Sequence, residues 1–378
     1  MSKWQKVKLG DICDILDSYR VPITAKNREV GIYPYYGANG IQDYVKDFIF
    51  DGDYVLVAED GGYFGSKTKP ISYKVSGKFW VNNHAHILKA KKDIFTDYLC
   101  YSTMFYDVSS LVNGATRQKL TQAALKEIKI PLPPMEEQKK IVARLDAVSD
   151  LLAKQKQLLS EQDTLIQSTF YDMFGDPLLN TNGYLLKYFD EIFSRIKNGA
   201  NIKQSKLKNG LPITRIETIS NYSVNRNRMG FAGINDIANY LEYELQDNDI
   251  LISHINSLSH IGKSALYRKT PGEKIIHGMN LLCLRPIQSK VNPLYIKHLF
   301  KTSYFKKKIL SITKPAVNQA SFTVSDFKKL TFPLPPFELQ QKFAAVAEQI
   351  ESEKSKIKSA IAETQTLFNA LMSEYFEE

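Results

Sequence analysis

One segment occurs twice in this chain, and it constrains the fold more than any other feature. The first copy reads Ile130-Pro131-Leu132-Pro133-Pro134, then Glu136, Gln138 and Lys140. The second reads Phe332-Pro333-Leu334-Pro335-Pro336, then Glu338, Gln340 and Lys342. The offset is 202 residues, the difference between Pro131 and Pro333, and it holds without a gap to the end of both segments. A repeat on this scale makes the half-chain the unit of folding.

After each Pro-Pro the chain runs about 40 residues without Gly or Pro, which predicts two α-helices of roughly 60 Å. Heptad spacing picks out one seam in the first: Ile141, Leu145, Val148, Leu152, Gln155, Leu159, Gln162, Ile166, Thr169 and Met173. The second seam is Phe343, Ala347, Ile350, Lys354, Ile357, Ile361, Thr364, Phe368, Leu371 and Tyr375. Polar breaks fall mid-seam, where a partner must accept them, and such breaks often set register. Gly175-Asp176-Pro177 stops the first helix. Two unrelated amphipathic helices are the simpler alternative. Equal length, common register and the same Pro-rich start instead make each helix the partner of the other. A two-fold relation predicts an antiparallel coiled coil with a globular domain at each end.

The expected fold is therefore α/β (α+β) with pseudo-two-fold repetition. Its parts are globular domains at 1–130 and 179–332 and helical segments at 131–178 and 333–378. In the first domain Leu9–Leu16 reads as a short strand or helix. Asn39-Gly40 marks a tight hairpin. Phe48–Ala58 suggests two strands around Asp51-Gly52, Glu59–Gly65 a solvent-facing loop, Trp80–Ala90 one strand, and Asp97–Met104 a helix. The second domain repeats this frame with dissimilar loops, as two recognition modules for two targets would.

Catalytic signatures fail one by one. Asn292-Pro293-Leu294-Tyr295 resembles the Asn-Pro-Pro-Tyr tetrad of adenine methyltransferases, but it is also an ordinary helix start with Pro in the first turn. Gly262-Lys263-Ser264 lacks the upstream Gly of a phosphate-binding loop, since Ser257 stands there. His84 and His86 share a face of a regular strand without an evident third ligand, so no metal site is expected. Glu137-Gln138-Lys139 reads as a solvated helix face. Cys13, Cys100 and Cys283 are isolated, which argues against a disulfide scaffold or zinc cluster and suits the cytoplasm. No run of about 18 apolar residues indicates a membrane span.

A formal net charge of +10 favours a polyanionic partner, most often nucleic acid. Polar and basic residues gather in the loops. Candidates for DNA contact in the first domain are Tyr36, Asn39, Lys67, Asn82, Asn83, His84, Arg117, Gln118 and Lys119. In the second they are Lys203, Arg215, Arg226, Arg228, Asn256, His260, Lys263, Lys314, Asn318 and Gln319. Arg and Lys suit guanine edges and phosphates, Asn and Gln adenine. Ordinary exposed loops are the bland alternative for any one of them.

The twin Pro-Leu-Pro-Pro…Glu-x-Gln segments, the helices after them, the Phe174-Gly175-Asp176-Pro177 stop and the Tyr33–Ile41 stretch resemble the specificity subunits of type I DNA restriction-modification enzymes. The second copy departs from the common Glu-Gln pair with Glu338-Leu339-Gln340. The resemblance implies a subunit without catalysis of its own. Each recognition domain would read one half of a split site in double-stranded DNA. The helices, through seam residues such as Ile141, Leu152, Phe343 and Ile350, would set the spacer and dock two adenine-methyltransferase subunits. Restriction subunits would join through these. S-adenosylmethionine, ATP and Mg are implied on the partners, not on this chain. A coiled-coil adaptor with two protein-binding heads, or a lone methyltransferase, is the competing class.

Overall fold

The repeated segment folds the same way in both copies, and its buried glutamine explains why. Gln138 and Gln340 both point inward. Gln138 Oε1 accepts from the Phe95 amide at 2.8 Å, and its Nε2 donates to the carbonyls of Asp93 and Pro133. Gln340 Oε1 accepts from the Asn292 amide at 2.9 Å, and its Nε2 donates to the Pro335 carbonyl. A tyrosine completes each clamp: Tyr98 donates to the Pro131 carbonyl, Tyr295 to that of Pro333. Both prolines end short strands, Lys129–Pro131 and Thr331–Pro333. Proline lacks an amide hydrogen, so its carbonyl is the group left to bind there. Gln340→Leu would strand a buried amide and a buried carbonyl and is expected to cost about 2 kcal/mol. Glu338→Gln, at an exposed position, should leave thermal unfolding unchanged.

The computed structural model describes residues 4–114, 118–205, 209–220, 222–316 and 319–377. By packing, the chain forms two compact units. One comprises Met1–Gln157 with Lys358–Glu378, the other Leu158–Ile357.

The first unit begins with β1 (Lys6–Lys8), α1 (Leu9–Ile12) and β2 (Cys13–Ile15), followed by β3 (Val30–Gly37), β4 (Gly40–Val45), β5 (Phe50–Ala58), β6 (Ser72–Val81), β7 (Ala85–Ala90) and α2 (Thr96–Met104). The six strands from β2 to β7 form one sheet in the order β2-β7-β5-β6-β3-β4. All its pairs are antiparallel except β3 with β6. Side chains alternate across a strand, so β5 feeds both faces. Val55 and Val57 pack with Leu88, Leu99 and Leu125, while Tyr54 and Leu56 pack with Phe50, Phe79 and Ile87.

The second unit is built on a four-stranded antiparallel sheet of Phe193–Asn198, Leu281–Pro286, Ile250–Ser253 and Ser264–Leu266, in that spatial order. Its core is aromatic. Phe189 stacks with Phe327 and Phe332, and Phe170, Phe174 and Phe343 of the long helices join the same core.

The two long helices span Met135–Phe174 and Phe337–Phe376. Within each unit they run antiparallel. In the first, Arg144 donates to the Tyr375 hydroxyl and, farther along, Gln155 to Thr364 Oγ1 at 3.2 Å. In the second, Asp163 pairs with Lys354 at 2.6 Å and Phe170 meets Phe343 edge-on. No seam position is exposed. The buried stripe is wider than a two-position seam, because Val142, Phe170, Phe174, Ala344 and Met372 also turn inward. Gly175 ends the first helix at φ +73°, a conformation glycine adopts without strain, with its amide on the Tyr171 carbonyl.

Several local expectations need correction. Phe48–Ala58 holds one strand, not two: Gly52, at φ +130°, lets β5 pass through. Trp80–Ala90 holds parts of two strands, with Asn82–His84 as the turn between them. Glu59 is buried rather than solvated, and so is Gln138 on the supposed solvated helix face. Asn292 is the helix start: its side chain caps Pro293–Leu299 by accepting from the Leu294 amide.

Candidate nucleic-acid interface

One end of the first unit gathers most of its candidate residues. Three features meet there: the end of β5, the start of β7 and the β3–β4 turn. Asn39, in that turn, donates to the Gly61 carbonyl. Asn82 donates to Gln42 Oε1 and accepts from the His84 amide. His84 Nδ1 lies 2.7 Å from Asp60 Oδ1, and Asp60 forms a β-bridge with Lys119. Asn83 and Gln118 are exposed beside these contacts in sequence.

Beneath this end lies an ion cluster that sequence reasoning missed. Glu59 accepts from Arg20 Nη1 at 2.5 Å on one oxygen and from Lys119 Nζ at 2.8 Å on the other. Asp17 Oδ2 lies 2.6 Å from His86 Nδ1, and Oδ1 accepts from the Ile87 amide. Gln122 also donates to Asp17. Burial alone would raise both carboxyls. The bonds from Lys119 and Arg20 hold Glu59 below its ordinary range, and His86 and Arg20 do the same for Asp17. Asp17, Glu59 and His86 have the residue types and proximity of a cation site. Their carboxylates are already paired with the Arg20 guanidinium and the Lys119 ammonium. Sequence reading singled out Lys119 and His86 one at a time but not the cluster, because the five residues span a hundred positions and only sheet topology joins them.

The remaining first-unit candidates stand apart. Tyr36 is half-buried against Tyr73 and Phe79, a core contact. Asn82, although it belongs to that end, is buried and holds the turn. Lys67 is exposed and acts electrostatically on Asp107. Arg117 lies outside the described residues.

In the second unit Asn256, His260, Lys263, Lys314 and Gln319 fall on one connected region. Ile255–Asn256 pairs with Ala320–Ser321, which pairs with Lys314–Pro315. The Ser253 amide donates to the Lys263 carbonyl. His260 Nδ1 contacts the Ser257 and Ser259 hydroxyls. A second group carries Lys203, Arg215, Arg226 and Arg228. Arg226 is held in a two-point pair by Glu273, at 2.8 and 2.6 Å, so its guanidinium is committed within the fold. Arg215 sits 3.7 Å from Glu217; Lys203 and Arg228 are exposed. Asn318 lies outside the described residues.

The two units share a link with different chemistry. The Leu120 amide donates to the Glu59 carbonyl, and the Phe322 amide, 202 residues on, donates to that of His254. Where the first unit has an ionised, doubly paired carboxylate, the second has a buried imidazole lowered by desolvation to about 4. Elsewhere, burial pushes the Cys13 and Cys100 thiols up to about 12 and Cys283 well above its ordinary value.

Two α+β units, each braced by half of an antiparallel helix pair and each ending in polar loops, define a duplicated recognition protein. The chain belongs to the family described as the type I restriction modification DNA specificity domain, whose model matches residues 1–161 and 187–364. The family is one of DNA specificity, and the chain is accordingly a non-catalytic specificity subunit of a type I restriction-modification system. It is 42% identical over 164 residues to a putative MjaX specificity subunit of Methanocaldococcus jannaschii, a match covering 43% of this chain but only 38% of that protein. It is 27% identical to a putative specificity subunit of Haemophilus influenzae across 91% of this chain and 86% of the other. In fold it is similar to the S subunit from M. genitalium, at TM-score 0.63 and 15% identity, covering 99% and 96% of the two chains. No helix among the described residues is long and apolar enough to cross a membrane.

Proposed function

We propose that each unit reads one half of a bipartite sequence in double-stranded DNA, and that the paired helices set the gap between the halves. The observation that carries this reading is the duplication itself: one clamp, one frame and one helix pairing, repeated over loop ends of different chemistry. A frame kept while its loops diverge suits two readers of two short sequences. In this reading the readers contribute polar side chains to base edges and phosphates. The helices also dock two methyltransferase subunits, and restriction subunits join through those. S-adenosylmethionine, ATP and Mg belong to the partners. This chain's own work is to bind and to position.

A coiled coil resists stretching, so its length translates into spacer length. Deleting one heptad from each helix, residues 153–159 and 355–361, removes about 10 Å at ~1.5 Å per residue. That is about three base pairs at ~3.4 Å each. Adenine-methylation mapping in cells carrying the variant with its partner subunits should show both half-sites unchanged and the spacer shorter. An unchanged spacer, with methylation intact, would defeat the reading.

A further inference from the structure

We propose that the helix Ser303–Ile312 of the second unit grips the DNA backbone, with Lys306, Lys307 and Lys314 on phosphates beside the loops that read the half-site. This rests on the DNA-binding reading above and adds to it a surface that only one unit carries. The positive charge of the chain is concentrated here. Residues 250–325 hold twelve Lys and Arg against one acid, Glu273, and the rest of the chain holds 38 against 39. Glu273 is itself taken by Arg226 and the Tyr267 hydroxyl. Acids from outside the stretch pair with Arg268, Lys269, Arg285 and Lys297, and Glu351 and Asp163 act on Lys301. Lys263, Lys306, Lys307, Lys308 and Lys314 carry no ion pair among the described residues.

Packing decides where these ammonium groups point. Tyr304, Phe305 and Ile309 are buried in the aromatic core, which turns Lys306 and Lys307 to the opposite, exposed face. Lys308 lies between, its ammonium 5.6 Å from the centre of the Tyr304 ring. Asp326, on the helix Val324–Lys328 packed alongside, accepts from the Thr323 hydroxyl at 2.7 Å. The basic helix also adjoins the polar loops. Its end runs into Lys314–Pro315, the strand joined through Ala320–Ser321 to Ile255–Asn256. Gly262 leaves the space that the Ile309 side chain fills, so the loop carrying His260 and Lys263 rests on the helix. Unpaired lysines next to polar loops match the division of labour at a DNA surface, where charge holds phosphates and polar groups meet base edges. The first unit has no counterpart. Among its described residues no helix occurs between α2 and Leu120, and that stretch sets Asp107 against Arg117 and Lys119.

The experiment uses the full chain and a mixed-sequence duplex of about 30 base pairs, because phosphate contacts are independent of sequence. Each lost phosphate contact lowers the slope of log K against log salt by about 0.9. Lys306→Gln, Lys307→Gln and Lys314→Gln combined should lower it by about 2 to 3 and weaken low-salt binding by about tenfold or more. Arginine at the same three positions should keep the wild-type slope. Lys154→Gln, Lys156→Gln and Lys358→Gln combined, at three exposed positions of the long helices, remove the same net charge and should also keep it. Equal drops in the two glutamine triples would leave net charge as the cause and overturn the assignment, as would a wild-type slope in the first. Absence of salt-dependent binding by the wild type overturns the DNA reading itself. Polyglutamate matched to the duplex in charge should compete weakly. Competition as strong as the duplex, and lost with the same three lysines, would make the partner an acidic protein chain and end the proposal.

Discussion

Acidification from pH 7 to pH 5 is expected to destabilise the second unit by several kcal/mol while leaving the first nearly unchanged. Three buried histidines cause this. Burial lowers His254 to about 4, and lowers His277 and His298 to about 3. His254 lies against the Phe322 ring, His298 against Phe343, and His277 Nε2 is bonded to the Leu281 carbonyl at 2.8 Å. Arg195 and Arg285 near His277, and Lys301 and Lys297 near His298, add like-charge repulsion to desolvation. In the unfolded chain each histidine titrates near 6.5. The unfolded state therefore binds more protons below that value, and the native state loses stability as pH falls from about 6.5 toward 3–4. Over pH 7 to 5 each contributes about 2 kcal/mol of loss.

Among the described residues of the first unit the carboxyls held below their ordinary range are Asp17, Glu59 and Asp107. Their contribution is present above the ordinary carboxylate range and is lost only as pH drops below it. Peptide-resolved hydrogen exchange, corrected for intrinsic rates, separates the units. Strands 250–253 and 281–286 should lose protection by pH 5, and strands 55–58 and 85–90 should keep it. Trp4 and Trp80 both belong to the first unit, so tryptophan emission should likewise hold steady. Equal loss in both units would contradict the assignment.

Arg285→Met is expected to cost the second unit about 3–5 kcal/mol, the usual price of leaving a buried charge unpaired. Asp249 is fully buried and receives Arg285 Nε and Nη2, each at 2.8 Å, one on either oxygen. Its Oδ2 also accepts from the Gln246 amide. Removing the guanidinium leaves the carboxylate in the core with one backbone donor. Arg226→Met removes the same kind of two-point pair at the partly exposed Glu273 and should cost about 1 kcal/mol or less. Urea titration of both variants tests the contrast, and equal losses would refute it.

The long helices were legible because their signal is local. Heptad spacing from Ile141 to Met173 and from Phe343 to Tyr375 is read along one stretch of chain, and a helix carries that period directly onto one face. The antiparallel pairing followed from the 202-residue repeat, since equal partners in one register favour a two-fold. Strand limits were less legible. Gly52 looked like a turn and lies within β5, because a permissive backbone serves a strand as well as a bend.

The polar loops were recognised by composition, but their roles were not. Tyr36 and Asn82 turned inward, Arg226 was taken by Glu273, and Lys119 acquired a buried partner. Nothing near Lys119 in sequence announces Glu59, Arg20 or His86. Sequence alone determined the repeat, the helices and the seam, because each is written in the spacing of neighbouring residues. Only the tertiary structure decided which charges are paired and which imidazoles are dry. Those properties depend on residues far apart in the chain and on the removal of water, and neither has a period to read.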